Sequence, residues 1–283
     1  MIKINSIPLF IMEIKDHVLL GKNVKKAVWS KNHSGKYDSG LPDTAIVHYT
    51  AGPFKPALNT LTNPRVRASA HVIVDRDGSI TQLVHFNEEA WHAGRSTWGK
   101  RKGLNKFSLG IEIVNSGPLT KSGNVFRSWF GSAYNPTDVI KAIHRNQTTP
   151  KYWHVYTEEQ IAVVTDLCRL FMDEYKIKHI LGHEEIAPNR KTDPGPAFPL
   201  DRLRKQLLGN DRAENTGLDL PEEGRISASK LNIRKTPTRN GDKVAQPLAK
   251  GAKVKILDES NGWYKVSTQV EGWVFAKYVE EDK

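Results

Sequence analysis

The sequence predicts an α/β domain followed by a small all-β domain. Over the first 208 residues, apolar β-branched runs such as residues 44–47 alternate with stretches of helical periodicity, which favours a mixed central sheet flanked by helices. From residue 225 the pattern changes to short period-two strands between turn residues, typical of a small barrel. Residues 209–224 are rich in Asn, Asp, Glu and Gly and poor in apolar side chains, so we predict a linker there.

The first domain (1–208) is predicted to begin with an extension and to continue through well-bounded elements. Asp77 and Gly78 are the kind of dipeptide that closes a tight hairpin. Thr157 and Gln160 have the spacing of a capping box at the start of a helix. The predicted elements are an extension over 1–40 with an edge strand at 27–29, a helix at 53–63, hairpin strands at 70–74 and 80–84, a strand at 108–115, a helix at 157–175, a strand at 179–181 and a helix at 200–208.

Two further features of this domain, a long polar segment and a single cysteine, lead to predictions. Residues 116–153 are polar and longer than an ordinary loop, so we predict a functional lid. The single cysteine, Cys168, excludes an intrachain disulfide, and it follows Ile161 and Val164 in a helical apolar stripe. We therefore predict that it is a core residue and not a nucleophile.

Polar residues at the ends of predicted strands suggest a hydrolytic metal site. His48 ends a buried strand, and His183 follows another and precedes Asp193 by ten residues. Catalytic zinc sites use three such N or O ligands and leave a position for water, so His48, His183 and Asp193 are the predicted zinc ligands. Glu112 is a lone carboxylate inside a core strand, which is costly without a role, and it is the predicted general base. Lys191 lies two residues before Asp193, on the same side of an extended segment, and is predicted to face the developing oxyanion.

Several segments, in this order, resemble the zinc-dependent N-acetylmuramoyl-L-alanine amidases, the superfamily of AmpD-like enzymes and peptidoglycan recognition proteins. The resemblance covers roughly residues 40–205, and an Asp as third ligand resembles the AmpD-like branch. The segments are His48 after its strand, His71 ahead of Asp77 and Gly78, residues 90–94 around His92, Gly110 with Glu112, Gly182 with His183, and residues 190–195.

The resemblance implies cleavage of the amide between N-acetylmuramic acid and the L-alanine of the stem peptide. It also implies that Arg67 offers a cation to stem-peptide carboxylates and that His92 lines the substrate groove. An ordinary surface arginine and a structural histidine are the alternatives. His154 is the rival for a histidine ligand, His71 is expected to be structural, and Glu112 as a merely structural carboxylate stays open.

The second domain (225–283) is similar to bacterial SH3-like domains. Its marks are a Leu-Asn-Ile-Arg opening at Leu231, a Gly-Trp-Tyr-Lys-Val strand around Trp263 and a closing Gly-Trp-Val around Trp273. Such barrels bind cell-wall peptide or act as spacers, and both roles stay open. We expect Trp263 and Trp273 to be core residues ahead of ligand platforms.

Charge and the N-terminus bear on partners and location. The formal net charge of +11 indicates an anionic partner or simply favours solubility. No nucleic-acid-binding motif is found, so we expect peptidoglycan or muropeptides as partner, no nucleic acid and a monomer. The apolar run at 7–14 is interrupted by Pro8 and Glu13, so we expect neither membrane insertion nor a signal peptide. The enzyme would act on the wall after release, or on cytoplasmic muropeptides.

These observations favour a peptidoglycan amidase of the phage or prophage endolysin type. A wall-targeting module without a signal peptide fits that role. The alternatives are a cytoplasmic recycling amidase, which needs no such module, and a non-catalytic wall-binding protein, which would lack a ligand or the lysine. A different zinc hydrolase would be expected to show its own motif, and no His-Glu-x-x-His is present.

Overall fold

The computed structural model describes residues 12–209, 223–235, 242–260, 263–268, 271–275 and 279–281. The chain forms two compact units, Met1–Gly209 and Asn210–Lys283. The predicted linker at 209–224 lies almost wholly outside the described residues, and its last two residues belong to the first strand of the second unit. The start of the predicted extension, residues 1–11, also lies outside them.

The first unit contains short strands and four α-helices within its described residues. Its strands are β1 (Met12–Lys15), β2 (Val18–Gly21), β3 (His33–Lys36), β4 (Thr44–Tyr49), β5 (Val72–Val74), β6 (Ile80–Gln82), β7 (Glu88–Ala90), β8 (Thr97–Trp98), β9 (Arg101–Lys102), β10 (Ser108–Ile113), β11 (Pro118–Ser122), β12 (Val125–Arg127), β13 (Ala133–Tyr134), β14 (Val139–Ile143), β15 (Pro150–His154) and β16 (His179–Gly182). Its helices are α1 (Phe54–Thr62), α2 (Glu158–Tyr175), α3 (His183–Ile186) and α4 (Leu200–Leu208), with 3₁₀ turns at Leu104–Phe107 and Pro136–Asp138.

A five-stranded sheet of order β16-β4-β10-β5-β6 forms the centre of this unit. All neighbours are parallel except the β5–β6 hairpin, so the carboxyl ends of four strands share one edge. Glu112 lies opposite His48 in the register of β10 and β4, and Gly182 lies opposite Val47. Residues at three strand ends therefore meet at this edge, and the predicted mixed α/β class is confirmed.

Helix α2 covers one face of the central sheet. The predicted capping box is present, because the Thr157 side chain accepts from the Gln160 amide and Gln160 returns the contact. Beyond the cap, the buried face of α2 packs in one cluster with β4, β5 and β10. Cys168 is fully buried there, as predicted. The opposite face is covered by a smaller cluster that includes Leu104 and Ile186, so both faces are buried, as parallel sheets require.

Two predicted elements are wrong. Residues 116–153 are not one long irregular loop, because half of them form strands of a second sheet, of order β13-β12-β11-β15-β14 with antiparallel pairing. Few of its side chains are buried, among them Leu119, Phe126 and Trp153, so the apolar alternation that signals a strand is weak in the sequence. The edge strand at 27–29 is absent, although Val28 N donates to the carbonyl of Gln82 at 3.0 Å.

The second unit is all β within its described residues. Its strands are β17 (Glu223–Ile226), β18 (Lys230–Leu231), β19 (Leu248–Ala249), β20 (Lys253–Ser260), β21 (Trp263–Ser267), β22 (Glu271–Phe275) and β23 (Val279–Glu281). A sheet of order β22-β21-β20-β17-β23 encloses a core that includes Ile226, Ile256 and Val266. Trp263 is buried, as expected of a core residue, whereas the side chain of Trp273 lies outside the described part. Among the described helices of the chain, none is long and apolar enough to cross a membrane.

Candidate active site

The site lies at the edge of the central sheet where the parallel strands end. His48 is the fifth residue of β4, Glu112 lies beside it on β10, and His183 directly follows β16. Asp193 reaches the same point from the loop after α3, where its carbonyl accepts from the Glu184 amide at 2.8 Å. The crevice outside the carboxyl ends of parallel strands is where open α/β sheets bind their ligands.

The predicted ligand atoms converge on one another. His48 Nδ1 lies 2.8 Å from His183 Nδ1, and the two atoms lie 3.0 and 2.9 Å from Asp193 Oδ2. All three residues are buried, with no more than 5% of their surface exposed. Within the described residues, this is the only group of three His, Cys, Asp or Glu side chains whose atoms are close enough to hold a metal ion.

Contacts on the far side of the rings determine which nitrogen carries the proton. His183 Nε2 lies 3.1 Å from the Ala93 carbonyl oxygen, and His92 Nε2 lies 3.1 Å from that of Ser108. Because a carbonyl oxygen only accepts, both Nε2 atoms donate, and in the neutral rings both Nδ1 atoms bear lone pairs. His48 Nε2 lies 3.0 Å from His92 Nδ1 and must therefore donate to it, which leaves His48 Nδ1 unprotonated.

The rings of His48 and His92 are neutral near neutral pH. Burial, together with the charge of His183, lowers the pKa of His48 to about 4, and burial holds the pKa of His92 well below its usual value. Arg190 Nη2 also approaches His183 Nε2, but at 3.4 Å, and it donates to the Ala93 carbonyl at 3.1 Å.

Two lone pairs and a carboxylate oxygen thus face one another without a proton between them. Such a set is repulsive when empty and is compatible with a cation at its centre. Two imidazoles and one carboxylate, with their outer nitrogens fixed by hydrogen bonds, fit a divalent metal ion.

Glu112 combines burial with an unused acceptor. The residue is half-buried, but its Oε2 is shielded from water and accepts no hydrogen bond from the described residues. Burial raises the pKa of Glu112 to about 8; the charge of Asp193 adds to the shift and that of Lys191 opposes it. Lys191 is half-buried, and its ammonium forms no hydrogen bond or ion pair with the described residues. Its charge also acts on His48. A carboxyl group with a free oxygen and a shifted pKa at such an edge is suited to proton transfer.

The loop that carries Lys191 and Asp193 is fixed by groups from other elements. Tyr49, the neighbour of His48 on β4, shares a 2.6 Å hydrogen bond between its hydroxyl and that of Thr192. The Tyr156 hydroxyl donates to the Pro194 carbonyl at 2.7 Å. These contacts hold the loop before and after Asp193.

Glu184 holds the far end of the same loop from inside the protein. Its Oε2 accepts from the Gly195 amide at 3.0 Å and lies 2.6 Å from His144 Nε2. His144 directly follows β14 and stacks on Trp153 of β15, so the second sheet supports the ligand loop. No signal in the sequence distinguishes Glu184 or Tyr49 from ordinary polar residues beside a motif.

The remaining candidates, His92 and Arg67, are not members of the metal-binding group. The ring of His92 is buried behind His48 with both nitrogens bonded to protein, a position that differs from the groove wall implied by the resemblance. Arg67 lines an open depression of about 290 Å³ whose rim includes Trp91 and Gly94. Gly94 follows Ala93, the acceptor for His183, so the depression lies next to the cluster.

The two rival histidines have structural partners. His154 Nδ1 accepts from the Ser116 amide at 3.3 Å, and its ring packs on Tyr134. His71 Nδ1 accepts from the Gly110 amide at 2.9 Å, and its Nε2 lies 2.9 Å from the Glu88 carbonyl. Neither belongs to the group that could hold a metal ion.

Comparison with known proteins assigns families to both units. Residues 38–196 match the family model described as N-acetylmuramoyl-L-alanine amidase, and residues 229–280 match that of the bacterial SH3 domain. N-acetylmuramoyl-L-alanine amidase AmiD of Escherichia coli K12 is 34% identical over 173 residues, 58% of this chain and 52% of that protein, so the chain spans about half of AmiD. The 1,6-anhydro-N-acetylmuramyl-L-alanine amidase AmpD of the same strain is 31% identical over 199 residues, 63% of this chain and 90% of that protein.

Among solved structures, that of a selenomethionine AmpD derivative is similar with a TM-score of 0.49 and 26% identity, covering 69% of this chain and 99% of that one. The family model matches more than half of the chain, and the matched segment includes the metal-binding group and Glu112. The chain belongs to the N-acetylmuramoyl-L-alanine amidase family.

Proposed function

We propose that this amidase is a zinc enzyme that cleaves the bond between N-acetylmuramic acid and L-alanine in the peptidoglycan of bacterial cell walls. The observation that supports the metal is the set of hydrogen bonds that turns the Nδ1 lone pairs of His48 and His183 toward Asp193 Oδ2. Two nitrogens and one oxygen are the ligands of catalytic zinc sites. When bound there, zinc supplies a Lewis acid and lowers the pKa of water.

The proton-transfer step falls to Glu112. Its Oε2 is free to accept, and the carboxylate can take a proton from the attacking water and pass it to the departing alanine nitrogen. Its pKa of about 8 refers to the protein without a metal ion, and a bound cation favours the ionised carboxylate that a base requires.

Lys191 is proposed to stabilise the negative charge that develops on the scissile carbonyl oxygen. It shares a short loop with Asp193, which Tyr49 and Tyr156 fix from two sides. Its charge already acts on both Glu112 and His48. A fixed ammonium contributes most where water is excluded and its position is held in advance.

We further propose that the enzyme acts on assembled cell wall, in the manner of a phage or prophage endolysin. The second unit supports this, because a bacterial SH3 domain is a module that can tether the enzyme to an insoluble polymer. A recycling role is the second candidate, supported by the likeness to proteins named 1,6-anhydro-N-acetylmuramyl-L-alanine amidases. Release from the cytoplasm stays a prediction, which fractionation of producing cells tests.

Product analysis tests the proposal. Mass spectrometry of purified sacculi after digestion should find free L-alanine amino termini and peptide-free glycan. Cleavage within the glycan or within the stem peptide would contradict the bond assignment. Faster turnover of soluble anhydro-muropeptides than of sacculi would favour the recycling role.

A further inference from the structure

The second sheet exposes one tryptophan far more than any other large apolar side chain among the described residues. Trp129, in the turn between β12 and β13, has 78% of its surface exposed, whereas the next value is 48% for Ile143. Single exposed apolar residues are common on protein surfaces, so exposure alone assigns no role.

The exposed ring is nevertheless held in place. The Trp129 indole N–H donates to the Ala51 carbonyl at 2.7 Å. The turn itself is closed by the Gly131 amide, which donates to the Ser128 carbonyl at 3.0 Å. The rings of Phe130 and Trp129 pack edge-to-face, with their centroids 5.5 Å apart. The polar atom of the ring is therefore satisfied while 78% of the residue's surface stays exposed, so a ligand meets an anchored aromatic surface with little rotamer entropy left to lose.

The anchor connects this ring to the active-site edge. Ala51 follows His48 by three residues, beyond the carboxyl end of β4, so their Cα atoms are separated by no more than about 11 Å. Ala51 has a φ of 54°, a left-handed conformation that is unusual for alanine and tends to be kept at functional sites. Trp129 is thus anchored just beyond the carboxyl end of β4, at the sheet edge that carries His48 and where open α/β sheets bind their ligands.

We propose that Trp129 is a stacking platform for a sugar ring of the glycan strand, next to the N-acetylmuramic acid whose amide is cleaved. This inference rests on the proposed function. Cleavage of the bond between N-acetylmuramic acid and L-alanine at the metal-binding group brings that sugar close to His48, and the adjoining sugars of the glycan strand then lie near the same sheet edge. Sugar rings offer a face of C–H groups to an open indole face, while their hydroxyl and acetamido groups remain in water. The platform makes the enzyme prefer polymeric glycan to single-sugar muropeptides.

The test compares two soluble substrates with the full-length zinc-loaded enzyme, a tetrasaccharide that carries stem peptides and a single-sugar muropeptide. Soluble substrates reduce the influence of wall tethering by the second unit. In Trp129→Ala, KM for the tetrasaccharide should rise about tenfold with kcat unchanged, while kcat/KM for the single-sugar substrate stays within about twofold. In Trp129→Phe, KM for the tetrasaccharide should lie between the values of the parent and of Trp129→Ala, because phenylalanine keeps an aromatic face but lacks the anchoring N–H.

Trp29→Ala is the matched control. Trp29 is also exposed, at 45%, but it stacks on His85 with ring centroids 4.1 Å apart. Its neighbours Val28 and Ser30 donate to Gln82 and Leu83, at the opposite edge of the sheet. This variant should match the parent on both substrates.

A second readout needs no catalysis. Titration with an N-acetylglucosamine tetramer, followed by calorimetry, should show binding to the parent that Trp129→Ala weakens about tenfold. Unchanged tetramer binding in Trp129→Ala, or equal losses on both substrates, would overturn the platform. Failure of the parent enzyme to release L-alanine amino termini from either substrate would instead overturn the proposed function.

Discussion

Removal of His92 should weaken metal binding even though His92 is not a predicted ligand. In His92→Phe, the buried His48 Nε2–H loses its acceptor, which at present lies 3.0 Å away. An unsatisfied buried donor costs about 1–3 kcal/mol. The ring can avoid that cost by moving its proton to Nδ1, where it faces the metal-binding group and must be displaced by zinc.

The proton shift lowers zinc affinity, because zinc binding then has to return the proton to Nε2 and restore the unsatisfied donor, whereas a donor unsatisfied in both states would lower only the stability of the fold. A free energy of 1–3 kcal/mol corresponds to a factor of about 5 to 160, in line with the 10- to 100-fold losses typical of such outer contacts. His92→Gln should recover part of the loss, since its amide oxygen can accept from His48. His154→Gln is the matched control, because His154 is equally a buried histidine but bonds to Ser116, away from the ligands.

The assay is competition for zinc against a chromophoric chelator at pH 7.5, with thermal unfolding recorded for each variant. Equal zinc affinity in His92→Phe and the parent would refute the tautomer argument. Equal losses in the phenylalanine and glutamine variants would assign His92 to packing alone. Loss of zinc in His154→Gln would restore His154 as a ligand candidate.

Three further outcomes follow from the same geometry. Glu112→Gln and Lys191→Ala should keep zinc and fold but lower kcat by about 100-fold each, and near-parental turnover in either would remove that residue from the mechanism. Burial lowers the pKa of His71 from 6.5 to about 4, so its neutral form stabilises the fold above pH 6.5 and that contribution is lost as pH falls toward 4. In denaturant unfolding, the free energy of unfolding should thus fall by about 2 kcal/mol between pH 7 and pH 5 because of this group. His71→Gln should show a smaller dependence on pH, and an equal dependence would contradict this role of His71. A chain that ends at Gly209 should bind zinc and cleave soluble muropeptides at the full-length rate but bind sacculi less at low salt; equal binding would make the second unit a spacer.

Much of the first unit could be predicted because its signals are local. The apolar runs of β4, β10 and β16 and the capping box of α2 each lie within a few residues. The second sheet escaped prediction because its strands bury few side chains and pair mainly with one another. Its stability depends on contacts such as Trp153 against Gly195, where an added Cβ would lie 2.9 Å from the ring.

In the candidate site, too, some residues could be predicted from the sequence and some contacts could not. His48 and His183 could be proposed from their places at strand ends, since parallel strands carry such residues to one edge, and Glu112 from being a lone carboxylate inside an apolar strand. The contact of His92 with His48 could not, because it requires β10 to approach the His92 ring closely. An added Cβ at Gly110 would lie 2.4 Å from that ring, a condition that only the folded chain reveals.

Zinc titration of the metal-free full-length enzyme tests the central claim most directly. Release of L-alanine amino termini should be absent without metal, rise in proportion to added zinc and level off at about one equivalent. Asp193→Ala should neither retain zinc nor regain activity in the same titration. Full activity with less than about a tenth of an equivalent of bound zinc, or activity in Asp193→Ala equal to that of the parent, would contradict the account.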